Sequence, residues 1–381
     1  MKILLMIMPL IYLAGNGYLY WRTLQAISGL PVWAKVTVSV LFWVAAFSLF
    51  AALGMRESRV PEPVMKTMFT TGSVWMVFLL YSVLLLALFD IIKLFVPVHG
   101  PSLFYAFPLT CCLLLYGYVN FRNPKVEHIT AELEKEFDGG EFTAVAVSDV
   151  HLGYGTGPKA LQRYVRLINA QKPDVIFISG DLIDNSLRPL MDKPFAEVLN
   201  RLEAPMGIYM VPGNHEYISG VDACEEYIRK NTGIHFLRDS LTSLPNGIQV
   251  IGRDDRSNRR RLPLETLMSK ADTVKPVIVL DHQPYELAVT DSLGADIQLS
   301  GHTHNGQVWP LNILIDIIYE QGYGYRKWKN SHIYVSSGLS LWGPPFRIGT
   351  NSDLAVITVK PNPLSLNKLQ EVRADKGEHA L

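Results

Sequence analysis

The chain has 381 residues, more than one average domain, and 49% of them are hydrophobic. Its 35 basic and 35 acidic side chains cancel to a formal net charge of zero, which argues against a polyanion-binding protein and leaves nucleic acid an unexpected partner. Cys111 and Cys112 are adjacent and Cys224 stands alone, which excludes both a disulfide framework and a zinc-type cysteine spacing.

The first 120 residues are apolar and sparsely charged, with hydrophobic stretches at roughly 3–20, 32–54, 73–97 and 101–120. The second and third are long enough to cross a bilayer core of about 30 Å. The fourth contains Pro108, which kinks a spanning helix without disqualifying it. The first has a basic start and a short apolar core, as a cleaved signal peptide does. No small-x-small cleavage site stands out, so it is read as an uncleaved span, with Gly15, Asn16 and Gly17 marking it as a poor or packed one. Tyr18, Tyr20 and Trp21 fit an interfacial aromatic belt. The reading is a transmembrane domain of about four helices over residues 1–120.

Asp90 and Lys93 fall within the third stretch. Either they mark an ion or proton path, or the span ends near Asp90 and the two groups satisfy each other three residues apart. With four spans, Lys2, Arg56, Arg59, Lys66, Arg122 and Lys125 share one side of the membrane, against Arg22 and Lys35 on the other. That bias predicts a cytoplasmic C-terminal domain. Residues 121–141, FRNPKVEHITAELEKEFDGGE, read as a short charged linker that keeps the following domain close to the membrane surface.

From residue 142 to 381 the chain has the composition of an α/β enzyme. Five apolar, β-branched runs each end in a metal-type ligand: VAVSDVH, VIFISGD, IYMVPGNHE, VIVLDH and IQLSGHTH. Each reads as a buried strand followed by its ligand. Asp149, His151, Asp181, Asn214, His282, His302 and His304 would thus reach one rim of a sheet, with His215 beside them. Seven side chains, one carboxylate shared, suit two adjacent metal ions about 4 Å apart. Imidazole with carboxylate or amide oxygen favours Mn, Fe or Zn over a soft metal, with Mn first among them. Such a pair clamps a phosphate and activates a bridging hydroxide for in-line attack on phosphorus. Glu216 and Asp281 have two readings, as partners that orient ligand imidazoles or as solvated loop carboxylates.

The ordered motif set resembles the calcineurin-like metallophosphoesterase superfamily over roughly residues 142 to 360, and GHTHNGQ with YVSSGLSLWGPPFRIGT resembles a membrane-associated bacterial branch of it. The resemblance implies a four-layer α-β-β-α sandwich in an integral protein of the bacterial inner membrane. It also implies one divalent metal on Asp149, His151 and His304, a second on Asn214, His282 and His302, Asp181 bridging both, and His215 as the catalytic histidine. Arg347 is a candidate phosphate contact, since guanidinium binds such oxygens bidentately.

Two further segments bear on the substrate. VWPLNILIDIIYEQGYGYRKWKN follows the last motif; it either lies at the membrane interface, lining an acyl groove, or is a core helix and loop. The run GRDDRSNRRRLP holds Arg253, Arg256, Arg259, Arg260 and Arg261, either for anionic headgroups or as a solvated loop. The expectation is a membrane-anchored phosphoesterase that cuts a phosphate ester or pyrophosphate of a lipid-linked substrate at the cytoplasmic face, for example a nucleotide-lipid such as UDP-diacylglucosamine. The bilayer and that lipid are its expected partners. The alternatives are a general phosphodiesterase merely tethered to the membrane, and a non-catalytic sensor or transporter. The sensor predicts missing ligands and the transporter predicts polar-patterned spans, and neither pattern is present.

Overall fold

The computed structural model describes residues 2–55, 58 and 60–362. Arg56 and Arg59, counted above for orientation, lie outside the described residues, as does the end of the domain expected to run to 381. The chain divides into two compact units, Met1–Arg122 with Gly343–Ile348, and Asn123–Trp342 with Gly349–Leu381.

The first unit is helical: α1 (Lys2–Ala26), α2 (Val32–Gly54), α3 (Glu62–Ile92) and α4 (Leu103–Phe121). Pro31 and Pro61 stand at the N-caps of α2 and α3, where a fixed φ and a missing N–H do not disturb the first turn. Among the described residues, α2, α3 and α4 are long and apolar enough to cross a membrane. The expected first span is one continuous helix, Lys2–Ala26, with Pro9 and the Gly15–Gly17 stretch inside it. That stretch packs: Asn16 is fully buried, and Trp75 Nε1 of α3 donates to its Oδ1 at 2.9 Å. α3 starts eleven residues earlier than its apolar run, since nothing between Glu62 and Gly72 breaks a helix. Gly72 allows α2 close in; a Cβ there would stand 2.1 Å from the backbone nitrogen of Leu49.

Asp90 accepts from Tyr18 Oη at 2.5 Å and Ser102 Oγ at 2.8 Å and is ion-paired with Arg22. Lys93 Nζ donates to the carbonyl of Gly100. The two groups are therefore satisfied, but by α1 and the entry to α4 rather than by each other.

The second unit begins before the expected boundary. Residues 125–133, inside the expected linker, form strand β1 (Lys125–Leu133), and its inward residues Ile129, Ala131 and Leu133 alternate with exposed Thr130 and Glu132. The charges on its outer face concealed that period of two. The strands that follow are β2 (Phe142–Val147), β3 (Val175–Ser179), β4 (Ile208–Val211), β5 (Ile234–Phe236), β6 (Ser240–Ser243), β7 (Gln249–Gly252), β8 (Val277–Leu280), β9 (Ile297–Ser300), β10 (Gly324–Lys327), β11 (His332–Val335) and β12 (Asp353–Pro361). Among the described residues they build two six-stranded sheets, in the orders β1-β12-β2-β3-β4-β5 and β10-β11-β9-β8-β7-β6. Strands β2 to β5 run parallel, as do β7, β8, β9 and β11, and antiparallel pairings join β12 to β2, β6 to β7 and β10 to β11.

Alternation along each strand decides the layers. Phe142, Ala144, Ala146, Val175, Phe177, Tyr209 and Val211 of the first sheet share one core with Val250, Ile278, Leu280, Ile297 and Leu299 of the second. The opposite faces carry Val145, Val147, Ile176, Ile178, Ile208 and Met210 against the helix Pro158–Asn169 and its neighbours, and Ile251, Val277 and Val279 against the helix Leu264–Met268. The result is the four-layer helix–sheet–sheet–helix sandwich that the resemblance implies. Strands buried on both faces read as continuous apolar runs, and each such Val, Ile or Leu contributes about 1.5–3 kcal/mol on burial.

Candidate metal centre

The ligand candidates all sit just past the C-terminal ends of parallel strands. Asp149 and His151 follow β2, Asp181 follows β3, and Asn214 and His215 follow β4; His282 follows β8, and His302 and His304 follow β9. Parallel pairing puts those ends on one edge of each sheet, and face-to-face packing brings the two edges together. The turns are tight: Asp149, His151, Asp181, His302 and His304 adopt φ of 55°, 49°, 52°, 72° and 49°. This left-handed conformation costs about 1–3 kcal/mol per non-glycine residue, is best tolerated by Asp, Asn and His, and gathers at functional sites. Gly180 (φ 85°) and Gly213 clear the space, since a Cβ would stand 2.6 Å from His282 Nδ1 in the first case and 2.1 Å from Asp181 Oδ1 in the second.

Three His-rich groups result among the described residues, Asp149 with His151 and His304, Asp181 with His282 and His302, and between them His151 with Asp181 and His215, and the potential ligand atoms in each lie within 4.8 Å of one another; the first two are the expected ligand sets. In the first, Asp149 Oδ1 is 3.4 Å from His304 Nε2 and 3.7 Å from His151 Nε2, and the two imidazole nitrogens are 3.3 Å apart. In the second, Asn214 Oδ1 lies 2.7 Å from His302 Nδ1 and 3.2 Å from His282 Nε2. Asp181 Oδ2 faces both groups, 3.1 Å from His282 Nε2 and 3.9 Å from His151 Nε2. Each carboxylate is anchored through its other oxygen, Asp149 Oδ2 by the His302 amide at 3.0 Å and by Ser148 Oγ, and Asp181 Oδ1 by the His215 amide at 2.8 Å. Asp149 Oδ1 is buried and accepts no hydrogen bond. An orphaned carboxylate oxygen aimed at two imidazole nitrogens is the environment a divalent cation satisfies.

Electrostatics give the same picture. Burial alone would raise the Asp149 carboxyl, yet the His304 charge and the neighbouring His151 hold it well below the usual carboxylate range. Asp181 is likewise held well down against burial by His282 and His215. Burial opposes a charged His151, but Asp149 and Asp184 beside it push its pKa up to about 10, and Asp181 raises His282 well above the ordinary value. Burial and the neighbouring His282 charge lower His302 to about 4. A divalent cation between these groups would supply the positive charge that the buried carboxylates require.

Asp184, absent from the expected set, lies with Oδ1 3.0 Å from His215 Nδ1 and 3.4 Å from His151 Nδ1. It is buried, and its two histidines hold its pKa down against burial. The His215 ring stands edge-on to His151, with centroids 4.5 Å apart, and Trp342 flanks it at 6.1 Å. Glu216 and Asp281 follow neither expectation. Glu216 is fully buried and accepts the amides of Gly213, Asp181 and Ile183 at 2.7, 3.0 and 2.8 Å, so it ties the loops after β3 and β4 together. Burial, then the Asp181 charge, raises it to about 7. Asp281 is buried against Arg253 at 2.8 Å and Arg261 at 3.1 Å. His282 is oriented by the backbone carbonyl of Ser179, 2.7 Å from Nδ1.

Arg347 is fully buried in the segment that groups with the helices; its amide donates to Gly117 O at 2.9 Å and its carbonyl accepts from Asn120 Nδ2 at 3.0 Å. The segment after His304 forms the helix Leu311–Ile318, in which no residue is buried and Leu314 and Ile317 are 50% and 75% exposed. The core-helix reading of that segment is thereby overturned, because none of its residues is buried.

The family model described as calcineurin-like phosphoesterase matches residues 142–306. The chain is 30% identical over 256 residues to an uncharacterized metallophosphoesterase of Campylobacter jejuni, a match that spans 65% of this chain and 67% of that one. It is 31% identical over 252 residues to an uncharacterized metallophosphoesterase of Aquifex aeolicus, spanning 64% of this chain and 95% of that one. It is also 33% identical over 270 residues to a transmembrane protein with metallophosphoesterase domain of Danio rerio, spanning 66% of this chain and 61% of that one.

Proposed function

The chain belongs to the calcineurin-like phosphoesterase family, and on that premise we propose that it is a membrane-anchored, metal-dependent phosphoester hydrolase that uses two divalent ions. The observation that carries the two-ion reading is Asp181 Oδ2, which faces His282 on one side and His151 on the other. Asp149, His151 and His304 would hold one ion, Asn214, His282 and His302 the second, and Asp181 both. Ions bound there would lower the pKa of water and offset negative charge on phosphoryl oxygens. Mn is the favoured ion, and Fe and Zn suit the same donors.

The chain's own groups supply the rest. Asp184 Oδ1 stands 3.0 Å from Nδ1 of His215, which leaves Nε2 to pass a proton to the leaving oxygen. Glu216 fixes the loops that present Asp181 and Asn214. Dialysis against EDTA should abolish turnover of a chromogenic phosphodiester by the full chain, and Mn²⁺ should restore it. Undiminished turnover after dialysis would contradict the metal-dependent reading.

A lipid-linked phosphoester or pyrophosphate is the proposed substrate, with a nucleotide-lipid of the UDP-diacylglucosamine type as the concrete candidate. Its support is the exposed apolar helix Leu311–Ile318, directly after the turn that carries His304, in a chain with three helices, among the described residues, long and apolar enough to cross a membrane. The proposed side is the cytoplasmic one, from Lys66, Arg122 and Lys125 near the span ends. Protease added to sealed right-side-out vesicles should leave the second unit intact, and its digestion there would put it on the outer side.

A further inference from the structure

The arginine run after β7 is neither a plain solvated loop nor part of the metal centre. Arg253, Arg256, Arg259 and Arg261 line a cavity of about 360 Å³, with Glu286 and Glu265 as its acidic members. Asp281 anchors two of these guanidiniums from behind, Arg253 at 2.8 Å and Arg261 at 3.1 Å, and all three side chains are at least nine-tenths buried. The Arg256 guanidinium lies over the Tyr285 ring, 4.6 Å from its centroid. Arg259 is exposed and makes no ion pair among the described residues.

Glu286 is half exposed, yet three guanidiniums converge on its carboxylate, Arg256 at 3.4 Å, Arg261 at 3.6 Å and Arg253 at 3.8 Å. Those separations exceed the about 2.7–2.9 Å of a charge-assisted hydrogen bond. Arg261 Nη2 is buried and has no hydrogen-bond partner at all. One two-oxygen acceptor thus stands loosely in a fork built for more oxygens. A phosphate group has the acceptors to bond several guanidiniums bidentately.

We propose that this cavity is an anion site for a phosphate-type group, in which Glu286 occupies the ligand's position and is displaced by it. The site adjoins the metal centre without sharing its ligands. Asp281 precedes His282 in the chain; Tyr285 packs on Tyr319 with centroids 4.9 Å apart, and the Tyr319 ring lies 6.4 Å from that of His302. A second phosphate of the substrate, or a separate anion, would sit behind this tyrosine pair. The proposal does not depend on which ester the metal centre cuts.

The test is calorimetric titration of the full chain in neutral detergent with inorganic phosphate, for the wild type, Arg259→Ala, Arg256→Ala and Glu286→Gln. Phosphate taken up at the metal centre is common to all four and cancels in the comparison. Arg259→Ala and Arg256→Ala should each weaken one binding event roughly tenfold, and Glu286→Gln should strengthen it by a similar factor. Arg259 is exposed, so its variant should keep the wild-type melting temperature. Nanodiscs with phosphatidic acid, against phosphatidylcholine alone, identify the source. Variant-sensitive binding to phosphatidic acid beyond that of free phosphate assigns a lipid headgroup, and sensitivity confined to free phosphate assigns a soluble anion. Identical phosphate and phosphatidic acid binding in all four proteins would overturn the site and leave the arginines a purely structural ion-pair network.

Discussion

Asp181 and His215 are separated by a hydrogen bond yet predicted to fail differently. Asp181 presents one oxygen to both histidine groups and its other to the His215 amide. Asp181→Ala should therefore lower bound metal and reduce turnover by at least about two orders of magnitude. His215→Ala removes a proton carrier but no ligand of either proposed ion, so metal content should stay near normal while turnover falls about 10²–10⁴-fold. Metal analysis beside kinetics separates the two, and an empty site in His215→Ala would make it a ligand instead. The ligand candidates were legible because each closes an apolar run, a pattern that survives in one dimension. Asp184 was not: GDLIDN reads as a turn, and its importance lies in standing between His151 and His215, which are 64 residues apart in the chain. Glu216 meets amides and Asp281 meets guanidiniums, which neither of their two sequence readings contained, because a buried carboxylate can face either as well as an imidazole.

Among the elements, the buried strands β2, β3, β4, β8 and β9 were plain in the sequence, since apolar residues must fill both of their faces. β1 was hidden by the charges on its outer face, and its pairing with β12 depends on a segment more than 200 residues later. The helix Leu311–Ile318 is the element on which the substrate proposal leans most. If it meets acyl chains, Ile317→Glu places a charge where an apolar contact of about 1.5–3 kcal/mol was available. Turnover of a phosphorylated lipid in vesicles should then drop roughly tenfold or more, with a soluble diester cut at the wild-type rate. Equal losses on both substrates would mean the helix supports the centre rather than the lipid.

For the whole molecule, composition alone separated an apolar first third from an α/β remainder. It did not reveal that residues 343–348 return to the helical unit, where the Arg347 backbone bonds to α4. The proposed reaction of this metal centre is hydrolysis of a lipid-linked phosphate. The most direct measurement is mass spectrometry of a membrane lipid extract and a nucleotide panel after incubation with the full chain and Mn²⁺, beside the Asp181→Ala variant. A phosphorylated lipid should be consumed by the wild type alone, with product masses that identify the bond cut. Turnover confined to soluble nucleotides or diesters would contradict it and reduce the helices to an anchor.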